Sequence, residues 1–90
     1  MKKAVIIHPK DSVVTVTEEV RLGDTVVFVR DQEEQIVSAA ENVPVFHKLA
    51  VREIGQGDKV FKYGEEIGIA TEDIPKGSHV DVHNLRSVRA

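Results

Sequence analysis

Ninety residues with twelve Lys and Arg against fifteen Asp and Glu, a formal net charge of −3 and no cysteine describe one small domain, residues 1–90, whose core must hold without disulfides. The bases are spread along the chain, which argues against a nucleic-acid partner, and the lack of thiols leaves only oxygen and imidazole groups for chemistry. The longest apolar runs, Ala4–Ile7 and Val26–Val29, are far shorter than a bilayer span, and Met1-Lys2-Lys3 is not followed by a signal-peptide stretch, so a cytoplasmic protein with no membrane partner is expected.

In chain order, Ala4–Ile7 is β-branched and stops at His8-Pro9, where proline removes a donor, so a strand followed by a turn is predicted. Ser12–Thr17 supplies a second strand and Thr25–Arg30 a third, separated by a tight turn at Leu22-Gly23-Asp24. The polar stretch Asp31–Gln35 reads as a hairpin tip before Ile36-Val37. After Pro44 the texture changes to short apolar pairs punctuated by glycine. The phrase Gly-[Asp/Ser]-x-Val occurs at Gly23, Gly57 and Gly77, and the last two instances extend into a longer match at a constant offset of 77 − 57 = 20 residues. Each unit offers an inward isoleucine and a glycine able to take positive φ as the chain reverses. The segments 33–41, 48–54 and 67–74 are the only ones with any helical character, none of it sustained. The expectation is an all-β domain with short helices.

The densest polar constellation is His79-Val80-Asp81-Val82-His83-Asn84. On a strand, His79, Asp81 and His83 would share one face while Val80 and Val82 point into the core. Such residues can bind a divalent metal or a carboxylate, or move protons near neutral pH. Four strand residues span about 13 Å, whereas metal bonds are about 2 Å, so any two of the three plus a residue from another segment or chain converge more easily than all three. A solvated strand face is the competing reading. His47-Lys48 sets an imidazole beside an ammonium, a pairing that suits an anion, or forms a plain basic surface pair. Lys62 and Tyr63 could line a polar pocket beside Gly64, or simply belong to a turn. His8, at a strand end, is a weak candidate. No Ser-His-Asp order or His-Glu-x-x-His is present, so self-contained hydrolase readings have no support.

The runs 43–54, 57–70 and 73–84, with the opening segment 7–14, resemble the SAF domain found at the N-terminus of altronate and galactarate dehydratases and as the small subunit of sulfolactate sulfo-lyase. That resemblance implies a SAF-type β-clip and attachment to a large domain or subunit that performs β-elimination on a hydroxylated acid with a divalent metal, often iron, held mostly by that partner. It places His47, Lys48, Lys62, Tyr63, His79, His83 and Asn84 at motif positions that would bind substrate, with His79 and His83 as this chain's contribution to a metal. The family commonly has Gly where this chain has Phe46, and His where it has Asp81.

Three functions follow as expectations. The first is the small subunit or N-terminal domain of an altronate-dehydratase-like hydro-lyase, inactive alone and acting on a sugar acid; the chain's end at Ala90 makes the large catalytic component a separate subunit. The second is the small subunit of a sulfolactate sulfo-lyase, and the third a non-catalytic SAF ligand-binding or assembly module. Self-association is left open.

Overall fold

Short β-branched runs broken by left-handed turns leave the chain no room for helices. In a computed structural model, which describes residues 1–88, nine strands carry the regular structure. β1 (Lys2–Val5), β2 (Val13–Val16), β3 (Thr25–Arg30), β4 (Glu33–Ser38), β5 (Lys48–Ala50) and β8 (His79–Val80) form a six-stranded sheet in the order β4-β3-β1-β2-β5-β8. A second sheet has the order β6-β7-β9, from β6 (Lys59–Lys62), β7 (Glu65–Ala70) and β9 (Leu85–Ser87). β1 and β3 run parallel, and the other strand pairs among the described residues are antiparallel. The expected all-β class holds.

The expected short helices do not form among the described residues. The segments 33–41, 48–54 and 67–74 contain β4, β5 and much of β7. Glu and Gln favour helix by only a few tenths of a kcal/mol per residue, and β4 pairs along its whole length with β3, from Arg30↔Glu33 to Thr25↔Ser38. The hairpin tip is correspondingly shorter than Asp31–Gln35: only Asp31 (φ 51°) and Gln32 (φ 67°) make the turn, both left-handed as a two-residue type I′ hairpin requires.

Four segments share one local design. Val20, Val43, Ile54 and Ile74 are buried and bridge in pairs, Val20 to Val43 and Ile54 to Ile74. A turn follows in each, with a left-handed third residue: Gly23 (φ 90°), Phe46 (φ 67°), Gly57 (φ 88°) and Gly77 (φ 92°). The next amide closes onto the carbonyl three residues back, from Asp24, His47, Asp58 and Ser78 to Arg21, Pro44, Gly55 and Pro75 at 2.9–3.1 Å. One residue later the chain enters β3, β5, β6 or β8. The repeat read from the sequence is thus three of four equivalent turns, the fourth being disguised by Phe46 and Leu49 at the glycine and valine positions.

Two apolar clusters form the core. One gathers Val14, Val16, Val20, Val26, Val37 and Leu49 among others, and the second gathers Val13, Ala50, Ile54, Val60, Ala70, Ile74 and Val80. The sheets are tied by Ser12, whose amide donates to the Phe61 carbonyl (3.1 Å) and whose Oγ accepts the Phe61 amide (2.9 Å).

Candidate functional site

Because β5 and β8 are antiparallel neighbours, with Leu49 opposite His79, the second and fourth turns lie side by side. His47, the residue that closes the second turn, therefore meets His79, the first residue after the fourth. His47 Nδ1 and His79 Nε2 are 2.9 Å apart, with ring centroids 5.1 Å apart. Asp81 Oδ2 lies 3.5 Å from His47 Nδ1 and 3.9 Å from His79 Nε2. The His83 ring also lies against His79, at 5.3 Å between centroids, and Glu41 reaches the same group, so that ligand atoms of Glu41, His79 and His83 fall within 4.8 Å of one another.

This convergence does not arise as the strand alternation predicted. β8 ends at Val80, and residues 81–84 form a turn. Val82 is 88% exposed rather than in the core, whereas Val80 is fully buried. The turn exists because Asn84, buried at 5% exposure, bonds across it: its Oδ1 accepts the Asp81 amide (3.0 Å) and its Nδ2 donates to the His79 carbonyl (2.9 Å). Folding the chain back in this way overcomes the 13 Å limit of a flat strand.

The electrostatics suit a neutral imidazole beside a carboxylate. His79 is held below its ordinary pKa, first by burial and then by the charge of His47, with Asp81 pulling the other way. A hydrogen bond from the Val82 amide holds the Asp81 carboxyl below the usual range, helped by His47, His79 and Lys48. Lys48 is thus within electrostatic reach of the cluster, from its half-buried place on β5. Two imidazoles and a carboxylate are a donor set that fits a divalent transition metal.

Of the seven predicted site residues, His47, Lys48, His79 and His83 belong to this neighbourhood, and Asn84 supports it from beneath. Lys62 and Tyr63 belong to a different one. They sit on the β6–β7 hairpin of the second sheet, where Lys62 Nζ lies 4.8 Å from the Tyr63 ring centre and the Tyr63 amide donates to Asp11. His8 is occupied in its own turn, its Nδ1 accepting the Lys10 amide (3.1 Å). Glu41 lay outside the sequence reading, since no motif links it to residue 79; its place only becomes visible once the loop after β4 passes the fourth turn, where the Ala40 amide donates to the Gly77 carbonyl (2.9 Å).

A cavity of about 300 Å³ opens beside His79, walled by Val20, Val43 and Pro44 and by the polar Glu19, Arg21 and Asn42. A larger apolar hollow of about 490 Å³ lies elsewhere, over Val5, Val27 and Val29 on β1 and β3, and carries none of the clustered groups.

Comparison with known proteins places these features in context. Residues 2–88 match the altronate/galactarate dehydratase SAF domain. The chain is 33% identical over 88 residues to the (2R)-sulfolactate sulfo-lyase subunit alpha of Chromohalobacter salexigens, covering 93% of this chain and 94% of that protein. It is 36% identical over 81 residues to the altronate dehydratase of Escherichia coli and 29% identical over 87 residues to that of Bacillus subtilis, covering 90% and 97% of this chain. It spans only 16% and 17% of those two longer enzymes. With its all-β fold and a match along nearly its whole length, the chain belongs to the altronate/galactarate dehydratase SAF domain family.

Proposed function

We propose that this chain is the small SAF component of a lyase that eliminates water from a hydroxylated carboxylic acid, a sugar acid of the altronate type, and that its imidazole cluster closes a substrate site completed by a larger catalytic polypeptide. The observation carrying this reading is the convergence of His47 from the second turn, His79 from β8 and Asp81 and His83 from the turn after it, in a chain whose relatives are dehydratases or a subunit of a sulfo-lyase. In β-elimination a base removes the proton beside the carboxylate while the neighbouring hydroxyl departs with a proton or a Lewis acid. Lys48, a compact cation with three donors, suits the substrate carboxylate. His83 is the exposed imidazole of the group and is free to exchange a proton with substrate. His79, kept neutral by burial, offers a lone pair near pH 7. A divalent metal, when bound, supplies Lewis acidity toward the leaving hydroxide, and the donors around His79 fit such an ion.

The test is reconstitution: the chain, a large lyase subunit from the same cell and a divalent metal are mixed with altronate, and keto-deoxy acid is measured. The chain alone should be inactive and the mixture active, with His83→Ala lowering kcat by roughly 100-fold or more, the usual scale for a lost general acid or base. Activity that persists undiminished when this chain is omitted overturns the reading. A second reading, sulfite elimination from sulfolactate, is favoured by the alignment over 94% of a sulfo-lyase alpha subunit; release of sulfite rather than water decides for it.

A further inference from the structure

We propose that the chain by itself carries a three-ligand site for a divalent transition metal, formed by His47 Nδ1, His79 Nε2 and Asp81 Oδ2, with the remaining coordination positions open. The three atoms form a triangle with sides of 2.9, 3.5 and 3.9 Å. At bonds of about 2.1 Å, neighbouring ligands lie about 3.0 Å apart in an octahedron and about 3.4 Å apart in a tetrahedron. The 2.9 and 3.5 Å sides match these spacings, and the 3.9 Å side between His79 and Asp81 is longer than either. The circumradius is about 2.0 Å, so a small inward shift of the Asp81 carboxylate brings all three atoms to ordinary bond length and spacing around one ion.

The alternative set, Glu41, His79 and His83, is spread within 4.8 Å, and both Glu41 and His83 are exposed, so ordering them costs side-chain entropy that the first set has already lost. Asp81 and Asn84 lock the turn through the backbone, and His47 and His79 already touch. The hydrogen that bridges these two rings is what the ion displaces; it moves to an outer ring nitrogen, leaving both inner lone pairs for the metal. The side chains of His47 and Asp81 are 41% and 35% exposed, which leaves the far side of an ion facing solvent or substrate. Three protein ligands with open positions is the arrangement of ions that bind substrates, whereas structural sites are closed by four. This site differs from one held mostly by a partner subunit, and only its catalytic use rests on the lyase reading.

The full chain, stripped with EDTA, is titrated with Co(II) as the probe, following visible d–d absorption and heat. One ion per chain is expected, with a rise in thermal midpoint that EDTA reverses. His47→Gln, His79→Gln and Asp81→Asn should each weaken binding by roughly 100-fold, at least the loss seen when even an outer-shell partner of a metal ligand is removed, while unfolding in EDTA shows that each variant remains folded. His83→Ala and Glu41→Gln should leave affinity essentially unchanged. Loss of binding in those two variants but not in His47→Gln assigns the ion to the other donor set and overturns the proposal, as does failure of the folded chain to bind Co(II). Neither result depends on reconstituted lyase activity, so the two readings fail separately.

Discussion

Phe46 is the residue where local cost and position diverge most. It holds φ 67° in a turn whose three counterparts use glycine, and its side chain is 71% exposed. A left-handed non-glycine residue costs about 1–2 kcal/mol, and an exposed ring recovers little of that by packing. Replacement by glycine relieves the strain but adds about 0.5–1 kcal/mol of backbone entropy to be lost on folding. Phe46→Gly should therefore stabilise the chain by about 0.5–1 kcal/mol, read as a higher urea midpoint at unchanged m-value; a lower midpoint would mean that the ring contributes packing its exposure conceals. Strain kept at an exposed aromatic side chain next to His47 fits a surface shaped by what binds there rather than by stability. The departure from glycine at this position is visible in the sequence, but its conformational cost is not, because φ is set by the turn into which tertiary pairing forces it.

At the scale of elements, the β6–β7 hairpin depends on a residue far from it in sequence. Asp11 is 1% exposed, and its carboxylate accepts the amides of His8 (3.1 Å), Tyr63 (3.0 Å) and Gly64 (2.8 Å). Tyr63 and Gly64 are the two left-handed residues of that hairpin turn, so one side chain satisfies donors that the strand ladder leaves over. Asp11→Ala would leave three part-buried amides without their acceptor, a loss of about 3 kcal/mol, with Asp11→Asn costing less because one acceptor oxygen remains. Chemical denaturation gives the size, and faster hydrogen exchange at Tyr63 and Gly64 gives the location. Unaltered exchange at those two amides would show that the carboxylate does not hold the hairpin. Sequence alone marks Asp11 as an ordinary polar residue in a turn, since a partnership across about fifty residues leaves no local pattern.

Across the whole molecule, the two apolar clusters share strands. Alternation on β2 sends Val14 and Val16 to one cluster and Val13 to the other, while β5 sends Leu49 to the first and Ala50 to the second. Neither cluster can lose its order without disturbing the strands of the other, so unfolding should be a single cooperative transition. Val26→Ala in the first cluster and Val60→Ala in the second, both at fully buried sites, should each cost about 2 kcal/mol. Near-UV and far-UV circular dichroism should still report coincident midpoints in both variants. Separated midpoints in Val60→Ala would show that the second sheet melts on its own.

The β-branched runs, the glycine turns and the lack of sustained helical period were sufficient to specify an all-β fold, because side-chain alternation and left-handed turn positions are properties of neighbouring residues. The same local information marked His47, His79 and His83 as candidates and bounded what a flat strand could do with them. What it could not decide was company. The meeting of His47 with His79 follows from β5 pairing with β8, and the return of Asp81 to both from Asn84 closing the last turn. The arrival of Glu41 follows from the loop after β4 meeting the fourth turn, and the separation of Lys62 and Tyr63 from their place in the second sheet. Contacts between residues some thirty positions apart are set by sheet order, which the chain acquires only when its whole core is buried.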